Sequence, residues 1–112
     1  MKQAGDRAED LALAHLSGSG LRLLARNYRS RFGEIDLILD DRGTLVFVEV
    51  RSRSHRGFGG AAESITAAKR ARIIATARNY LARSRRDSPC RFDAVLIDAN
   101  DAVEWIRGAF TA

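Results

Sequence analysis

The apolar residues near the N-terminus recur every three or four positions, as they do on the buried face of a helix. They are Ala8, Leu11, Ala12 and Leu16. Acidic residues lie among the early positions of the same segment, where they suit the positive end of the helix dipole. A run of serine and glycine at residues 17–20 then supplies a helix C-terminus and a loop. This pattern predicts a first helix over residues 4–16.

Three segments with the composition of β-strands follow: residues 21–29, 34–39 and 44–51. The first two are joined near Gly33, and the Asp-Asp-Arg-Gly sequence at residues 40–43 is a strong turn signal before the third. We therefore predict three consecutive antiparallel strands. The third is apolar on both faces over residues 45–50, as expected of a central strand covered on both sides, and Glu49 interrupts it.

A second helical pattern occupies residues 66–83, with Thr66 as its N-cap and a basic face opposite its apolar stripe. The stripe consists of Ile73, Ile74, Ala77 and Leu81. Two further strands are predicted at residues 91–98 and 103–107. The resulting order αβββαββ belongs to the α/β class, and 112 residues are enough for a single domain with one core.

Charge is the feature of the composition that narrows the function. Nineteen Lys and Arg against fourteen Asp and Glu leave a formal charge of +5. Nucleic acid is therefore the first expected partner, with anionic membrane behind it. Residues 51–91 hold eleven basic and two acidic residues, a net charge of +9, and the remainder carries −4. A solvated helix face and a phosphate-binding surface both explain such a segment, so charge alone does not decide between them.

Other sequence features exclude several classes of protein. No apolar run approaches the roughly 20 residues that cross a bilayer, and the first twenty residues are too acidic for a signal peptide. We therefore expect a cytoplasmic protein with no membrane partner. Cys90 is the only cysteine, which excludes an internal disulfide and a Cys-x-x-Cys zinc site. The glycine-rich residues 57–62 fit a dinucleotide-binding motif nominally, but the preceding strand ends too early for it.

Asp36 and Glu49 are the candidates for chemistry. If the second and third strands pair across the turn at residues 40–43, these two carboxylates lie close together beside apolar core. They then repel each other, so either one takes up a proton or a cation sits between them. Mg²⁺ is the natural candidate, because it usually accepts one or two protein carboxylates and leaves places for water and phosphate oxygens. In outline this is a site for phosphodiester hydrolysis.

Four stretches of the chain resemble the YraN-like bacterial proteins: RNYRSRFGEIDLI (26–38), LVFVEVRSR (45–53), FGGAAESITAAKRARI (58–73) and CRFDAVLID (90–98). Those proteins are similar to the restriction-endonuclease-like superfamily, PD-(D/E)xK, and within it to archaeal Holliday junction resolvases. The resemblance implies a restriction-endonuclease-like core with a mixed central sheet flanked by helices. It also implies a divalent metal, Mg²⁺ or Mn²⁺, and DNA as substrate, and it leaves open whether that DNA is branched.

The resemblance implies roles for individual residues. Asp36 matches the metal-binding aspartate of the superfamily motif, and Glu49 matches the glutamate of Glu-x-Lys. The backbone carbonyl of Val50 matches a further metal ligand, and Glu9 on the first helix matches a glutamate that resolvase-like members add. Arg51 stands where the motif has lysine. Lysine can surrender a proton, whereas arginine remains charged and acts as an electrostatic clamp, so the chain departs from the motif at a residue that matters for catalysis.

Five basic residues near this site are expected to contact DNA phosphates: Arg53, Arg56, Lys69, Arg70 and Arg72. Such contacts give affinity without sequence specificity. The aromatic residues lack the clustered spacing of a base-stacking platform and are expected to pack in the core: Tyr28, Tyr80, Phe92 and Trp105. Glu34 is interpreted as a surface residue outside the catalytic set.

Three hypotheses about function follow. The first is a metal-dependent endonuclease with Glu9, Asp36, Glu49 and Arg51 as catalytic residues, in which two symmetric cuts would call for a homodimer. The second is a non-catalytic nucleic-acid-binding module, in which the carboxylates and Arg51 form an ion cluster that neutralises itself. The third is a protein-interaction adaptor that uses the basic helix. We favour the first.

Overall fold

The computed structural model describes residues 4–53 and 65–112, which form two helices and five strands in the order αβββαββ. The elements are α1 (Ala4–Gly18), β1 (Arg22–Ser30), β2 (Gly33–Asp41), β3 (Thr44–Arg53), α2 (Ala67–Ser84), β4 (Cys90–Asp98) and β5 (Val103–Phe110). This order and the α/β class are as predicted. The last strand extends three residues beyond its predicted end, because Gly108 adopts a positive φ of 61° and a bulge adjusts its pairing with β4.

The five strands form one mixed sheet in the order β1-β2-β3-β4-β5. The first three pair antiparallel, as predicted, and β4 pairs antiparallel with β5. In the β2–β3 turn Arg42 and Gly43 have φ values of 52° and 96°, the positive values that a two-residue hairpin of type I′ requires. Strand β4 runs parallel to β3, which requires the crossover that contains α2.

The two helices cover opposite faces of the sheet. Leu16 of α1 packs with Leu37, Val46 and other apolar residues on one face. On the other face Ile73 of α2 packs in a cluster around Phe47. Strand β3 therefore contributes apolar side chains to both cores, as its sequence predicted. Neither helix within the described residues is long and apolar enough to cross a membrane.

Helix α2 begins and packs largely as its sequence predicts. Thr66 is the N-cap, and its hydroxyl accepts a hydrogen bond from the backbone N–H of Lys69. Two residues of the predicted stripe, Ile73 and Ala77, are buried, whereas the other two, Ile74 and Leu81, are only partly buried. Thr76 is fully buried although its hydroxyl is polar. Helical spacing did not single out Thr76, and it proves to hold the β1–β2 turn onto the helix.

The sheet loses its regularity around Asp36. Strands β2 and β3 pair from Asp41 with Thr44 as far as Leu37 with Val48. In a regular strand Ile35 and Leu37 would share a face, but Ile35 packs in the α2 core and Leu37 in the α1 core. The alternation of side chains therefore breaks at Asp36. The carboxylate is placed where two neighbouring strands separate, which is where the sheet can open a cavity.

Candidate active site

Asp36 and Glu49 come together at the point where β2 and β3 stop pairing, as the hairpin register predicts. The Oδ2 atom of Asp36 accepts a hydrogen bond of 2.8 Å from the backbone N–H of Val50. Glu49 is buried, with 6% of its surface exposed. The two carboxyl groups are therefore adjacent to each other and largely shielded from water, at the edge of the core.

This arrangement strongly favours the protonated form of Asp36. Burial away from water, and then the adjacent Glu49 carboxyl group, raise the pKa of Asp36 to about 8. The hydrogen bond from the Val50 amide opposes that rise, and the charge of Glu9 adds a smaller contribution to it. Sequence reasoning left open whether a proton or a cation relieves the repulsion. The raised pKa of Asp36 favours the proton in the chain by itself.

Two basic side chains face the buried carboxylate of Glu49. The Nζ atom of Lys69 lies 2.6 Å from Glu49 Oε2, and Nη1 of Arg51 lies 3.9 Å from the same oxygen. The Lys69 contact does not have hydrogen-bond geometry, so Glu49 Oε2 has charge partners but no hydrogen-bond donor within the described part of the chain. This atom is therefore available as a ligand for a cation, beside the ammonium group that already faces it.

The acidic and basic groups line a common cavity. Its volume is about 390 Å³, and its walls include Glu9, Asp36, Glu49, Arg51 and Lys69. A second cavity of about 220 Å³ adjoins it, since Asp36, Glu49 and Lys69 line both. All four residues predicted to be catalytic thus line one cavity, and Lys69 lines it with them.

Glu9 is held in position by β1. Its Oε1 atom accepts a hydrogen bond of 3.2 Å from Nε of Arg26, whose guanidinium also lies 2.8 Å from Asp10. Asn27, the next residue, has a positive φ of 54°. With its amide nitrogen turned toward the acidic groups, Asn27 donates to Glu9 and to Glu34 at 3.2 Å. Sequence reasoning missed Arg26 and Asn27, and asparagine's tolerance of positive φ is the only local signal for the latter.

Asp36 and Glu49 are the residues that could hold a small divalent cation. Among the described residues no group of three or more His, Cys, Asp and Glu side chains is arranged to hold a metal. Asp36 and Glu49 provide two carboxylates, which is the number that Mg²⁺ commonly takes from a protein. The buried Glu49 Oε2 has no hydrogen-bond donor in this part of the chain. For Val50, the predicted carbonyl ligand, the contact that the structure shows is its amide donating to Asp36.

The basic residues predicted to contact DNA have separate places. Lys69 lies inside the site, against Glu49. Arg70 is folded onto the protein, where its Nε donates to the Ile65 carbonyl at 2.9 Å. Arg72 is exposed at the rim of the smaller cavity. The Arg53 side chain and Arg56 lie outside the part of the chain that the structure describes, as does the glycine-rich loop.

Sequence reasoning placed Lys69 near the site as a phosphate contact but did not anticipate its contact with Glu49, because the motif led to Arg51. One signal could have indicated it. Of the nineteen basic residues only Lys2 and Lys69 are lysines, so a lysine at position 69 stands out in an arginine-rich chain. Unlike arginine, lysine can release a proton.

Comparison with known proteins identifies the family. The model of the uncharacterised protein family UPF0102, which comprises the YraN-like proteins, matches residues 8–97. A UPF0102 protein of Paracidovorax citrulli is 62% identical, over 99% of this chain and 84% of its own length. One of Methylobacillus flagellatus is 57% identical over the whole of both chains, and one of Nitrosomonas europaea is 58% identical over 98% of each. The chain therefore belongs to the uncharacterised protein family UPF0102.

Proposed function

We propose that this protein is a divalent-metal-dependent endonuclease that hydrolyses phosphodiester bonds in DNA. The observation that carries the proposal is the pair of adjacent carboxylates, Asp36 and Glu49, that lines a cavity together with Lys69 and Arg51. The αβββαββ order and the resemblance to the restriction-endonuclease-like superfamily support the same assignment. Branched DNA, the substrate of the resolvases in that superfamily, is the finer form of the proposal.

Asp36 and Glu49 would hold Mg²⁺ or Mn²⁺, with the Val50 carbonyl as the additional ligand that the superfamily resemblance implies. When bound, such an ion acidifies a coordinated water and offsets negative charge on the phosphate. Glu9 lines the same cavity and is held there by Arg26, so it would orient water within the site. The buried Glu49 Oε2, which faces Lys69 and Arg51, would then also be a metal ligand.

Lys69 would perform the catalytic role of the motif lysine, although it lies on α2 and the motif lysine lies on a strand. Its Nζ atom reaches Glu49 Oε2 from the first turn of α2, so it is within reach of a water beside the two carboxylates. There the ammonium group would donate a hydrogen bond that orients the attacking water, and would pass a proton to the phosphate oxygen on which negative charge develops. Arg51 stays charged and holds a phosphate oxygen. The replacement of the motif lysine by Arg51 is therefore no obstacle to catalysis.

The decisive experiment is cleavage of labelled linear duplex and four-way-junction DNA, with Mg²⁺, with Mn²⁺ and with chelator. We expect metal-dependent cleavage by the wild type and its loss in Asp36→Asn. The matched control is Asp87→Asn, the same chemical change at an exposed position after α2. Binding that needs no metal and survives Asp36→Asn, without cleavage of any substrate, would overturn the enzyme assignment. Equal cleavage of linear and branched DNA would overturn only the preference for branched substrates.

One observation favours a second candidate, a nucleic-acid-binding module without catalysis. Lys69 neutralises Glu49 and a proton neutralises Asp36, so the cluster is electrically satisfied without a cation. Titration calorimetry with Mn²⁺ separates the two candidates. The nuclease proposal expects Mn²⁺ binding by the wild type and by Asp87→Asn, and none by Asp36→Asn. Tight DNA binding by a wild type that takes up no Mn²⁺ supports the module instead.

A further inference from the structure

The turn between β1 and β2 presents an exposed aromatic ring beside the candidate active site. Among the described residues the large apolar side chains that remain exposed are Leu23 and Phe32, and 39% of Phe32 is accessible. The predicted core aromatics behave differently, since Phe92 is buried and Tyr28 and Tyr80 pack against the same cluster. Phe32 therefore has no partner within the core.

Hydrogen bonds fix this turn rigidly on α2. The Phe32 backbone N–H donates to Ser30 Oγ at 3.0 Å, and Ser30 Oγ lies 3.1 Å from the hydroxyl of the buried Thr76. Since the Thr76 hydroxyl donates to the Arg72 carbonyl at 2.8 Å, the Ser30 hydroxyl is the donor in the bond between them. The Phe32 amide and the two hydroxyl groups thus form a continuous chain of hydrogen bonds that ends at the backbone of α2. The ring is consequently displayed on a backbone whose conformation is already set, so binding through it loses little conformational entropy.

The residue after Phe32 has a restricted backbone conformation and lies against α2. Gly33 follows Phe32 with a φ of 152°, and a Cβ atom at this position would lie 3.4 Å from Cβ of Arg72. The positive φ favours glycine, whereas the added Cβ atom would be at an ordinary van der Waals distance from α2. Gly33 also lines the smaller cavity together with Asp36, Glu49 and Arg72. The turn that carries Phe32 is thus one wall of the cavity that leads to the two carboxylates.

The surroundings of the ring are basic. The guanidinium carbon of Arg31 lies 4.8 Å from the centroid of the Phe32 ring. Arg29, three residues before Phe32, is exposed, and so is Arg72, which lines the smaller cavity with Gly33. Glu34 forms an ion pair with Arg29 at 3.7 Å. A ligand that complements this surface has a flat apolar face for the ring and negative charge for the guanidinium groups. A nucleotide has both.

In duplex DNA the faces of each base are covered by its neighbours, so only an unpaired or unstacked base offers a face to Phe32. We propose that Phe32 is a stacking platform for an unpaired base of DNA next to the phosphodiester bond at Asp36 and Glu49, which rests on the proposed function. The preferred substrates are then flaps, bulges and junctions with an open base, and perfectly paired linear duplex is a poor ligand.

The test measures binding in chelator, so that it does not depend on cleavage. The probes are a duplex with one unpaired 2-aminopurine and the same duplex with that base paired. We expect the wild type to quench the unpaired base and to bind its duplex about 5- to 150-fold tighter, as stacking on an aromatic side chain provides. Phe32→Ala removes the quenching and the preference, and Phe32→Trp keeps both. Leu23→Ala, which removes the other exposed apolar side chain, is the matched control.

Each alternative outcome has a distinct meaning. Equal affinity for the two probes, or a preference that survives Phe32→Ala, overturns the stacking proposal. Self-association that depends on Phe32, measured by sedimentation velocity, would make a second copy of the chain the occupant and also overturns it. Absence of DNA binding overturns this inference and the proposed function together. Phe32-dependent stacking without metal-dependent cleavage upholds the inference and overturns the nuclease alone.

Discussion

The ammonium group of Lys69, in the first turn of α2, lies 2.6 Å from the buried carboxylate of Glu49 on β3. Arg51, two residues after Glu49, lies 3.9 Å from the same oxygen. The residue that can release a proton therefore reaches the site from the helix, while the strand supplies a permanent charge. The proposed function gives the two basic residues different tasks, and substitution distinguishes them.

We expect Lys69→Met to lower the rate of DNA cleavage by about 10²- to 10⁴-fold, the contribution typical of a general acid or base. Lys69→Arg keeps the charge but cannot transfer a proton, so it should be similarly slow. Arg51→Lys should retain or raise the rate. Single-turnover cleavage at saturating protein is the measurement, because it separates chemistry from binding. Equal rates for Lys69→Arg and the wild type would contradict a proton-transfer role for Lys69.

The proximity of Asp36 and Glu49 could be predicted because it depends on local structure. The turn at residues 40–43 sets the hairpin register, and counting outward from it places one carboxylate opposite the other. The order of helices and strands follows from spacing and turn residues in the same way. Turn signals, hydrophobic spacing and hairpin register all depend on residues close together in the sequence, and in this chain they predicted the elements correctly.

The remainder of the site depends on how distant segments pack. Lys69 reaches Glu49 only because α2 is rotated and positioned on the sheet as it is, and no spacing in the sequence encodes that rotation. The break in alternation at Asp36, and the positive φ of Asn27 beside it, are likewise set by the surrounding packing. Phe32 was overlooked for a related reason, since its exposure follows from the way Ser30 and Thr76 fix the turn.

The raised pKa of Asp36 predicts how stability depends on pH in the metal-free protein. The pKa of Asp36 is about 8 in the folded chain and 3.8 for the unperturbed group, so between these values the folded state binds more protons than the unfolded state. Stability from this group is therefore greatest below pH 4 and is lost as the pH rises to about 8. The charged groups around Asp36 are Glu9, Glu49, Lys69 and Arg51.

Asp36→Asn removes this titration and the repulsion from Glu49. In chelator, we expect urea unfolding to show Asp36→Asn more stable than the wild type at pH 9, with a smaller advantage at pH 5. Asp87→Asn, at an exposed position, should show no such trend. A difference between Asp36→Asn and the wild type that stays constant from pH 5 to pH 9 would mean that Asp36 has an ordinary pKa.

Asp93 differs from Asp36, because both oxygens of its buried carboxylate accept hydrogen bonds from neighbouring donors. It accepts hydrogen bonds from Arg91 at 2.8 and 3.0 Å, from Trp105 Nε1 at 2.9 Å and from the Gly108 amide at 3.0 Å. Asp93→Ala leaves those donors and the Arg91 charge without their partner. We expect a loss of about 3–5 kcal/mol in the free energy of unfolding. Trp105 fluorescence during urea titration measures it.

The contrast with Asp36 gives that experiment its discriminating power. Asp93→Ala should leave the cleavage rate per folded molecule unchanged, because the network of Asp93 contains none of the residues around Asp36. Asp36→Asn should do the reverse and remove cleavage while the chain stays folded. A buried acid with four donors is structural, and a buried acid held beside another acid is available for chemistry.

Two arginines of α2, one exposed and one packed against the protein, are expected to contribute differently to DNA binding. Arg72 is exposed at the rim of the smaller cavity. The Nε atom of Arg70 donates to the Ile65 carbonyl, and its guanidinium carbon lies 5.7 Å from the centroid of the Phe110 ring. Arg72→Ala should weaken binding of paired and unpaired DNA alike. It should also reduce the slope of log affinity against log salt by about 0.9, the value for one phosphate contact.

Arg70→Ala is the matched control, with the same residue type two positions earlier on the same helix. It should lower the free energy of unfolding through the lost contacts with Ile65 and Phe110, and leave the salt slope unchanged. Fluorescence anisotropy at four or five salt concentrations yields both slopes. If the two substitutions reduce the slope equally, Arg70 must leave Ile65 to meet DNA. If neither does, phosphates are bound elsewhere than along this face of α2.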